Sequence, residues 1–183
     1  MLRIFLLGTL WIAAMPLHGQ SYASEELFPP IIVNSVDDSV VAMDTACTLR
    51  EAVNNVNADA DTTGGDCGVA SAIQFDPMID GTPIVLSGAA QDDANLSGDL
   101  DLLRPASIVG NGPGLTIISG GGIDRVFDVP DEVAGVVFEG LEIREGNSGA
   151  EDGGGVSCRA FSCVFRDSLF AMNQTDDDGG GIA

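Results

Sequence analysis

Cys47-Thr48-Leu49-Arg50-Glu51-Ala52-Val53, running on through Asn54-Asn55-Val56-Asn57, is the one stretch that reads as a helix with a defined start. Thr48 followed three residues later by Glu51 is a capping box, in which each side chain satisfies a backbone N–H that the first turn leaves without a partner. Leu49, Val53 and Val56 fall at i, i+4 and i+7 and form one apolar stripe, with Arg50, Asn54 and Asn57 on the opposite face. Arg50 and Glu51, the most charged part of the stretch, read as cap and packing residues, not as an active site.

Upstream, residues 1–23 read as a secretory signal peptide. Arg3 supplies the positive start, Ile4 to Met15 is an apolar run shorter than the about 20 residues that span a bilayer, and Ser21-Tyr22-Ala23 puts small residues before a cut expected after Ala23. Cleavage removes Trp11, His18 and Tyr22, the only residues of their kinds, and the chain has no Lys. The mature chain then has no imidazole for a Ser-His-Asp arrangement or a histidine-ligated zinc site. It also lacks the indole and phenol faces that stack on sugars and bases.

A formal charge of −21, with 28 acidic residues against seven Arg, repels a phosphate backbone, so no nucleic acid is expected as a partner. A hydrophobic content of 45% still provides for a core. About 160 residues after cleavage suit one domain. Four cysteines in a secreted chain suggest two disulfides, and of the three possible connectivities the local pairs Cys47–Cys67 and Cys158–Cys163 are favoured because each closes a short loop; sequence alone does not choose among them.

Ile31 to Val36 reads as a first strand after Pro29-Pro30. Between the helix and Gly68 lies a polar loop whose Asn57, Asp59 and Asp61 are candidate calcium ligands at alternate positions. The loop departs from a full calcium motif, because no Gly follows the third ligand and Gly68 stands where a bidentate Glu belongs. A plain turn loop is the competing account, and no cofactor is expected beyond this structural calcium. From Ile73 onward the chain is a succession of short apolar runs: Ile73–Phe75, Ile84–Leu86, Leu100–Leu103, Ile108–Val109, Leu115–Ile118, Val126–Val129, Val136–Phe138 and Leu141–Ile143. Gly, Pro, Asn, Asp and Ser separate them. Phe138, Ile143 and Gly146 recur as Phe165, Phe170 and Asn173, each 27 positions later, and Gly153-Gly154-Gly155-Val156 recurs as Gly179-Gly180-Gly181-Ile182, 26 later. This period predicts an all-β fold, a parallel β-helix solenoid with the short α-helix as its N-terminal cap, in which Glu139 sits over Arg166. Thr48, Leu49, Glu51, Val53 and Val56 are the cap residues.

The helix stretch resembles the Cys-Ser/Thr-Leu-Arg-Glu-Ala (CSLREA) motif domain that opens many secreted bacterial proteins, with Thr48 in place of the commoner Ser. Ile84-Val85-Leu86-Ser87-Gly88, Ile108-Val109-Gly110-Asn111-Gly112, Asp124-Arg125-Val126-Phe127 and Phe138-Glu139-Gly140-Leu141 resemble later landmarks of the same proteins. The resemblance implies a right-handed parallel β-helix, a CSLREA-like cap region over residues 24–72, coils over residues 73–183, further coils beyond Ala183, and a secreted or cell-surface location in a bacterium. It assigns no activity to named residues. The expected function is a non-enzymatic scaffold or adhesin-like stalk, with surface or extracellular matrix ligands as partners and no membrane span after signal cleavage.

The alternative is a polysaccharide lyase or glycosidase, which needs paired carboxylates, or carboxylate-bound calcium with an Arg base. Asp124, Asp128 and Asp131 are the candidate catalytic residues, with Arg125, Glu132, Glu142 and Arg144 near them in sequence. Asp and Arg at strand ends also pair with each other or with turn backbone, which is the structural account of the same residues. The glycine-rich stretches at 110–114 and 120–122 lack the Lys and Ser/Thr of a phosphate loop and read as turns.

Overall fold

The structure is a computed structural model that describes residues 29–90 and 94–183. The expected signal peptide over residues 1–23, with Trp11, His18 and Tyr22, lies outside the described residues. In chain order the elements are β1 (Ile31–Val33), α1 (Leu49–Ala58), β2 (Ala72–Phe75), β3 (Ile84–Val85), β4 (Leu100–Asp101), β5 (Ala106–Val109), β6 (Ile117–Ser119), β7 (Phe127–Val129), β8 (Val136–Glu139), β9 (Glu142–Arg144), β10 (Val156–Cys158), β11 (Cys163–Arg166) and β12 (Leu169–Ala171). Each of the eight apolar runs overlaps one of the strands β2 to β9. The strand expected over Ile31 to Val36 stops early, at Val33, because Asn34 turns the chain: its N–H donates to the Cys47 carbonyl at 3.0 Å, and its side-chain oxygen accepts from the Cys47 N–H at 2.7 Å.

The strands form three parallel sheets, ordered β1-β2-β5-β8-β11, β10-β7-β4 and β12-β9-β6-β3. This topology corrects the expectation of an all-β, right-handed parallel β-helix solenoid. Three small sheets of five, three and four strands stand with one α-helix in an α/β-like parallel arrangement. The 27-residue spacing joins β8 to β11, β9 to β12 and β4 to β7, and does not run through the chain. Along the five-stranded sheet the partners are Ile31, Ile73, Ile108, Phe138 and Phe165, so the successive spacings are 42, 35, 30 and 27 residues. The first interval is long enough to hold α1, and it gives the chain a mixed character that a period read near the C-terminus does not reveal.

Where the period holds, the register follows it. Phe165 lies beside Phe138, Arg166 beside Glu139, and Phe170 beside Ile143. Parallel strands lie about 4.8 Å apart, so like residues stack in columns. Ile84, Ile118 and Ile143 form one buried column, and Leu100, Phe127 and Val156 another. These columns and that of the five-stranded sheet meet in a single apolar core. The Phe138 and Phe165 rings stack with centroids 5.1 Å apart. Cys47 is bonded to Cys67 and Cys158 to Cys163.

Helix α1 begins as its sequence dictates. Thr48 is extended and caps the first turn, its hydroxyl accepting from the Glu51 N–H, while the Glu51 carboxylate accepts from the Thr48 N–H at 3.0 Å. Asp59 ends the helix in the left-handed region at φ 52°. Leu49, Val53 and Val56 are buried against the core, and α1 packs on β1 and β4.

Candidate functional site

The polar face of α1 is spent on holding the segment that leads into β4. Arg50, fully buried, forms a two-pronged pair with Asp38, with Nε 2.8 Å from Oδ1 and Nη2 3.1 Å from Oδ2. Its remaining N–H groups donate to the carbonyls of Gly98 at 2.7 Å, Asp99 at 2.9 Å and Ser97 at 3.3 Å. One turn on, the Asn54 side chain accepts from Asn95. Asn57 donates to the Asp101 carbonyl and accepts from the Leu103 N–H, at 2.7 and 2.9 Å. Residues 50, 54 and 57 thus form a row of clamps, and a backbone stretch without regular pairing of its own finds its partners there.

That segment leads directly into a cluster of carboxyl groups on the three-stranded sheet. Asp101, Asp128 and Ser157 occupy matching positions on β4, β7 and β10. Arg125, buried at the turn before β7, lies 3.3 Å from Asp99 and 3.3 Å from Asp128, and also pairs with Glu151. Arg159 reaches Asp128 at 2.8 Å. Asp124 is buried beside them and accepts from the Arg125 N–H. Gly98, at φ 65°, lets the chain pass so close that a Cβ there would stand 2.9 Å from an Asp124 oxygen and 2.6 Å from the Ala89 carbonyl.

Charge in the cluster is unbalanced, because Asp99, Asp101, Asp124, Asp128 and Glu151 face Arg125 and Arg159. Burial, then the carboxylates of Asp124 and Asp101, push the Asp99 carboxyl up to about 8, opposed in part by the Arg125 guanidinium. Asp99 therefore keeps its proton near neutral pH. A perturbed carboxyl marks a site for scrutiny, but Asp99 is only 5% exposed and lies under the Arg125 side chain. A cleft of about 330 Å³ beside it is lined by Arg125, Glu151, Asp152, Ser157, Arg159 and Asp177.

The structure thus brings together Asp124, Arg125 and Asp128. It places Asp131 and Glu132 apart from them, on an exposed turn after β7, and Glu142 and Arg144 on β9 in the four-stranded sheet, 3.4 Å from each other. The calcium candidates serve three separate ends. Asn57 clamps β4, and Asp59 caps α1 while pairing with Arg104 at 3.1 Å. Asp61 accepts from the N–H and hydroxyl of Thr63, bonds that lower its carboxyl from the usual range. Among the described residues no group of three or more His, Cys, Asp or Glu side chains is placed to hold a metal ion. Gly98-Asp99-Leu100-Asp101 is another stretch that resembles the landmarks of the CSLREA proteins, but neither Asp99 nor Asp101 is among the catalytic candidates of the sequence. The signal for Asp101 is the alternation Leu100-Asp101-Leu102, repeated 27 positions later as Phe127-Asp128-Val129, which puts two outward carboxylates in one column.

Fold and site together define a disulfide-bonded protein of small parallel sheets that carries an internally paired carboxyl cluster. No helix among the described residues is long and apolar enough to cross a membrane. Comparisons with protein-family models, with curated proteins and with solved structures find no match for this chain.

Proposed function

We propose that this chain is a non-enzymatic scaffold segment, secreted or displayed at a bacterial cell surface, and that its helix stretch is a CSLREA-like motif whose role is to fasten the start of the fold. One observation carries the proposal: the two candidate catalytic carboxylates that the fold brings together are engaged in internal contacts, Asp128 between Arg125 and Arg159 and Asp124 beneath the Gly98 backbone, while Asp131 stands apart from them on an exposed turn. A carboxylate held by two guanidiniums is a poor general base, because leaving them for a substrate proton costs both pairs. The two disulfides support an oxidising compartment. The motif side chains support the fastening role, since Arg50 and Glu51 contact the protein's own backbone and not an open cleft.

The test is a screen of the purified protein against acidic polysaccharides, with and without calcium, followed by absorbance of unsaturated products and by reducing ends. No turnover is expected. Turnover that Asp128→Asn abolishes would establish the polysaccharide-degrading alternative. Fractionation of the producing cells should place the protein outside the cytoplasm, and a purely cytoplasmic pool with reduced cysteines would overturn the location.

A further inference from the structure

We infer that the cleft at the C-terminal ends of the strands of the four-stranded sheet binds a primary ammonium on an unbranched aliphatic stem, the group that free diamines and lysine side chains carry, with Glu145 as its counter-ion. Val85, Ser119, Arg144 and Ala171 end β3, β6, β9 and β12 at matching positions. Three strand spacings make that row about 14 Å long. The cleft beside it has a volume of about 360 Å³, and its lining includes Val85, Ser119, Gly122, Glu145, Met172 and Gln174. Small-molecule sites have volumes of this order.

Glu145 is held in place before any ligand arrives. Its N–H donates to the Ala171 carbonyl at 3.1 Å, and its own carbonyl accepts from the Gly122 N–H at 2.7 Å. The Ser119 hydroxyl accepts from the Gly121 N–H at 3.1 Å and gives its proton to Glu145 Oε2, 2.6 Å away. Arg144 approaches the same oxygen, with Nε at 3.6 Å, and spends Nη1 on Glu142 at 3.4 Å. Among the described residues nothing donates to Oε1, and that oxygen is left for a ligand. A carboxylate fixed in this way loses little freedom on binding.

The surroundings of Glu145 select the ligand. Two carboxylates, Glu142 and Glu145, meet one guanidinium, so the site keeps a negative charge, and the formal charge of −21 draws cations toward it. A metal ion fits poorly, because the cleft wall holds a single carboxylate. Val85 and Met172 are apolar and exposed, and an aliphatic stem laid against either removes that surface from water. Of the three N–H groups of an ammonium, one goes to Oε1 and a second has the Gln174 amide oxygen on the same wall. At Gly122 the cleft stays open, since no heavy atom lies within 4 Å of where a Cβ would stand.

The experiment is an NMR titration of the disulfide-bonded protein with pentylammonium, and with 1-pentanol as its neutral counterpart, at about 0.15 M salt to screen the general field of the acids. Saturable shifts at the Met172 methyl and at the amides of residues 119–122 and 145 are expected, with a Kd on the order of 1 mM for the ammonium and none measurable for the alcohol. Glu145→Gln should weaken binding about tenfold, and Glu139→Gln, on β8 in the five-stranded sheet, should leave it unchanged. Separate titrations with cadaverine and with Nα-acetyl-lysine methylamide tell a free diamine from a lysine side chain by which binds more tightly. Shifts without saturation up to about 50 mM, an alcohol that binds as well as the ammonium, or equal losses in the two variants would overturn the site. Should Glu145→Gln not fold, the comparison of ammonium with alcohol in the unmodified protein decides.

Discussion

The two edges of the five-stranded sheet are covered very differently. At β1 the helix α1 lies against the core, and Leu49, Val53 and Val56 are buried together with the whole Arg50 side chain. At β11, and at β12 in the neighbouring sheet, Phe165 and Phe170 are only half-buried, while Leu169 is 46% and Met172 64% exposed. Both regions have apolar side chains facing the core, so burial potential is not what separates them. The difference lies in polar bookkeeping. Near α1, the carbonyls of residues 97–99 and of Asp101 accept from Arg50 and Asn57 across more than 40 positions of chain, whereas beyond the ladder the last strands are fastened locally, by the Ser168 hydroxyl on the Arg166 carbonyl and by the Cys158–Cys163 disulfide, and by the exposed Glu139–Arg166 pair. Closing one end of stacked parallel sheets thus takes donors for loose carbonyls as well as an apolar stripe.

The comparison breaks most readily at Leu49. Leu49→Asp puts a carboxylate into a fully buried position and should cost more than about 4 kcal/mol, enough to abolish secretion of folded protein, whereas Leu169→Asp on a half-exposed strand should cost under about 1 kcal/mol. Equal yields and protease resistance of the two variants would contradict the comparison. Arg50→Ala comes next. It strands Asp38 and three carbonyls and should cost about 3–5 kcal/mol in denaturant unfolding, and Arg50→Lys should rescue little of this because an ammonium cannot reproduce the forked geometry.

The disulfides sharpen the same contrast at smaller scale. Cys47–Cys67 spans 20 residues and Cys158–Cys163 five. Replacing the first pair by Ser should cost about 3 kcal/mol, and replacing the second less, because the closed loop is shorter. The smallest effect is expected at the exposed Glu139–Arg166 pair, 3.6 Å apart, where removing either charge should change stability by about 0–1 kcal/mol. A double-mutant cycle measures that coupling, and a value well above this range would give the last strands a polar fastening comparable to that at α1.

Much of the local structure is legible in the residues themselves. Thr48 and Glu51 define where α1 starts because the capping box is a local chemical device, and the apolar runs mark strands because burial on a pleated surface needs them. The 27-residue recurrence gives the pairing of Phe165 on Phe138, since those strands are joined by connections of one length. It misleads upstream, where the spacing stretches to 42 residues and the chain inserts a helix. The expectation of an all-β solenoid extended a local regularity to the whole chain. Arg50, Asn54 and Asn57 could be assigned to one helix face by periodicity, yet their partners at Asn95, Gly98, Asp99 and Asp101 lie more than 40 positions away, and nothing local encodes that. The raised carboxyl of Asp99 was hidden for the same reason: burial and then Asp124 push it up, with Arg125 opposing, and only the fold brings these together.

Native-state hydrogen exchange tests the central claim most directly, that α1 and its clamps make the β1 end the firmly held end of the molecule. The amides of α1 should exchange only through global unfolding, while those of β11 and β12 should open at a lower free energy, and Arg50→Ala should bring the α1 amides down toward them. Exchange of α1 as fast as that of β12 in the unmodified protein would contradict the account.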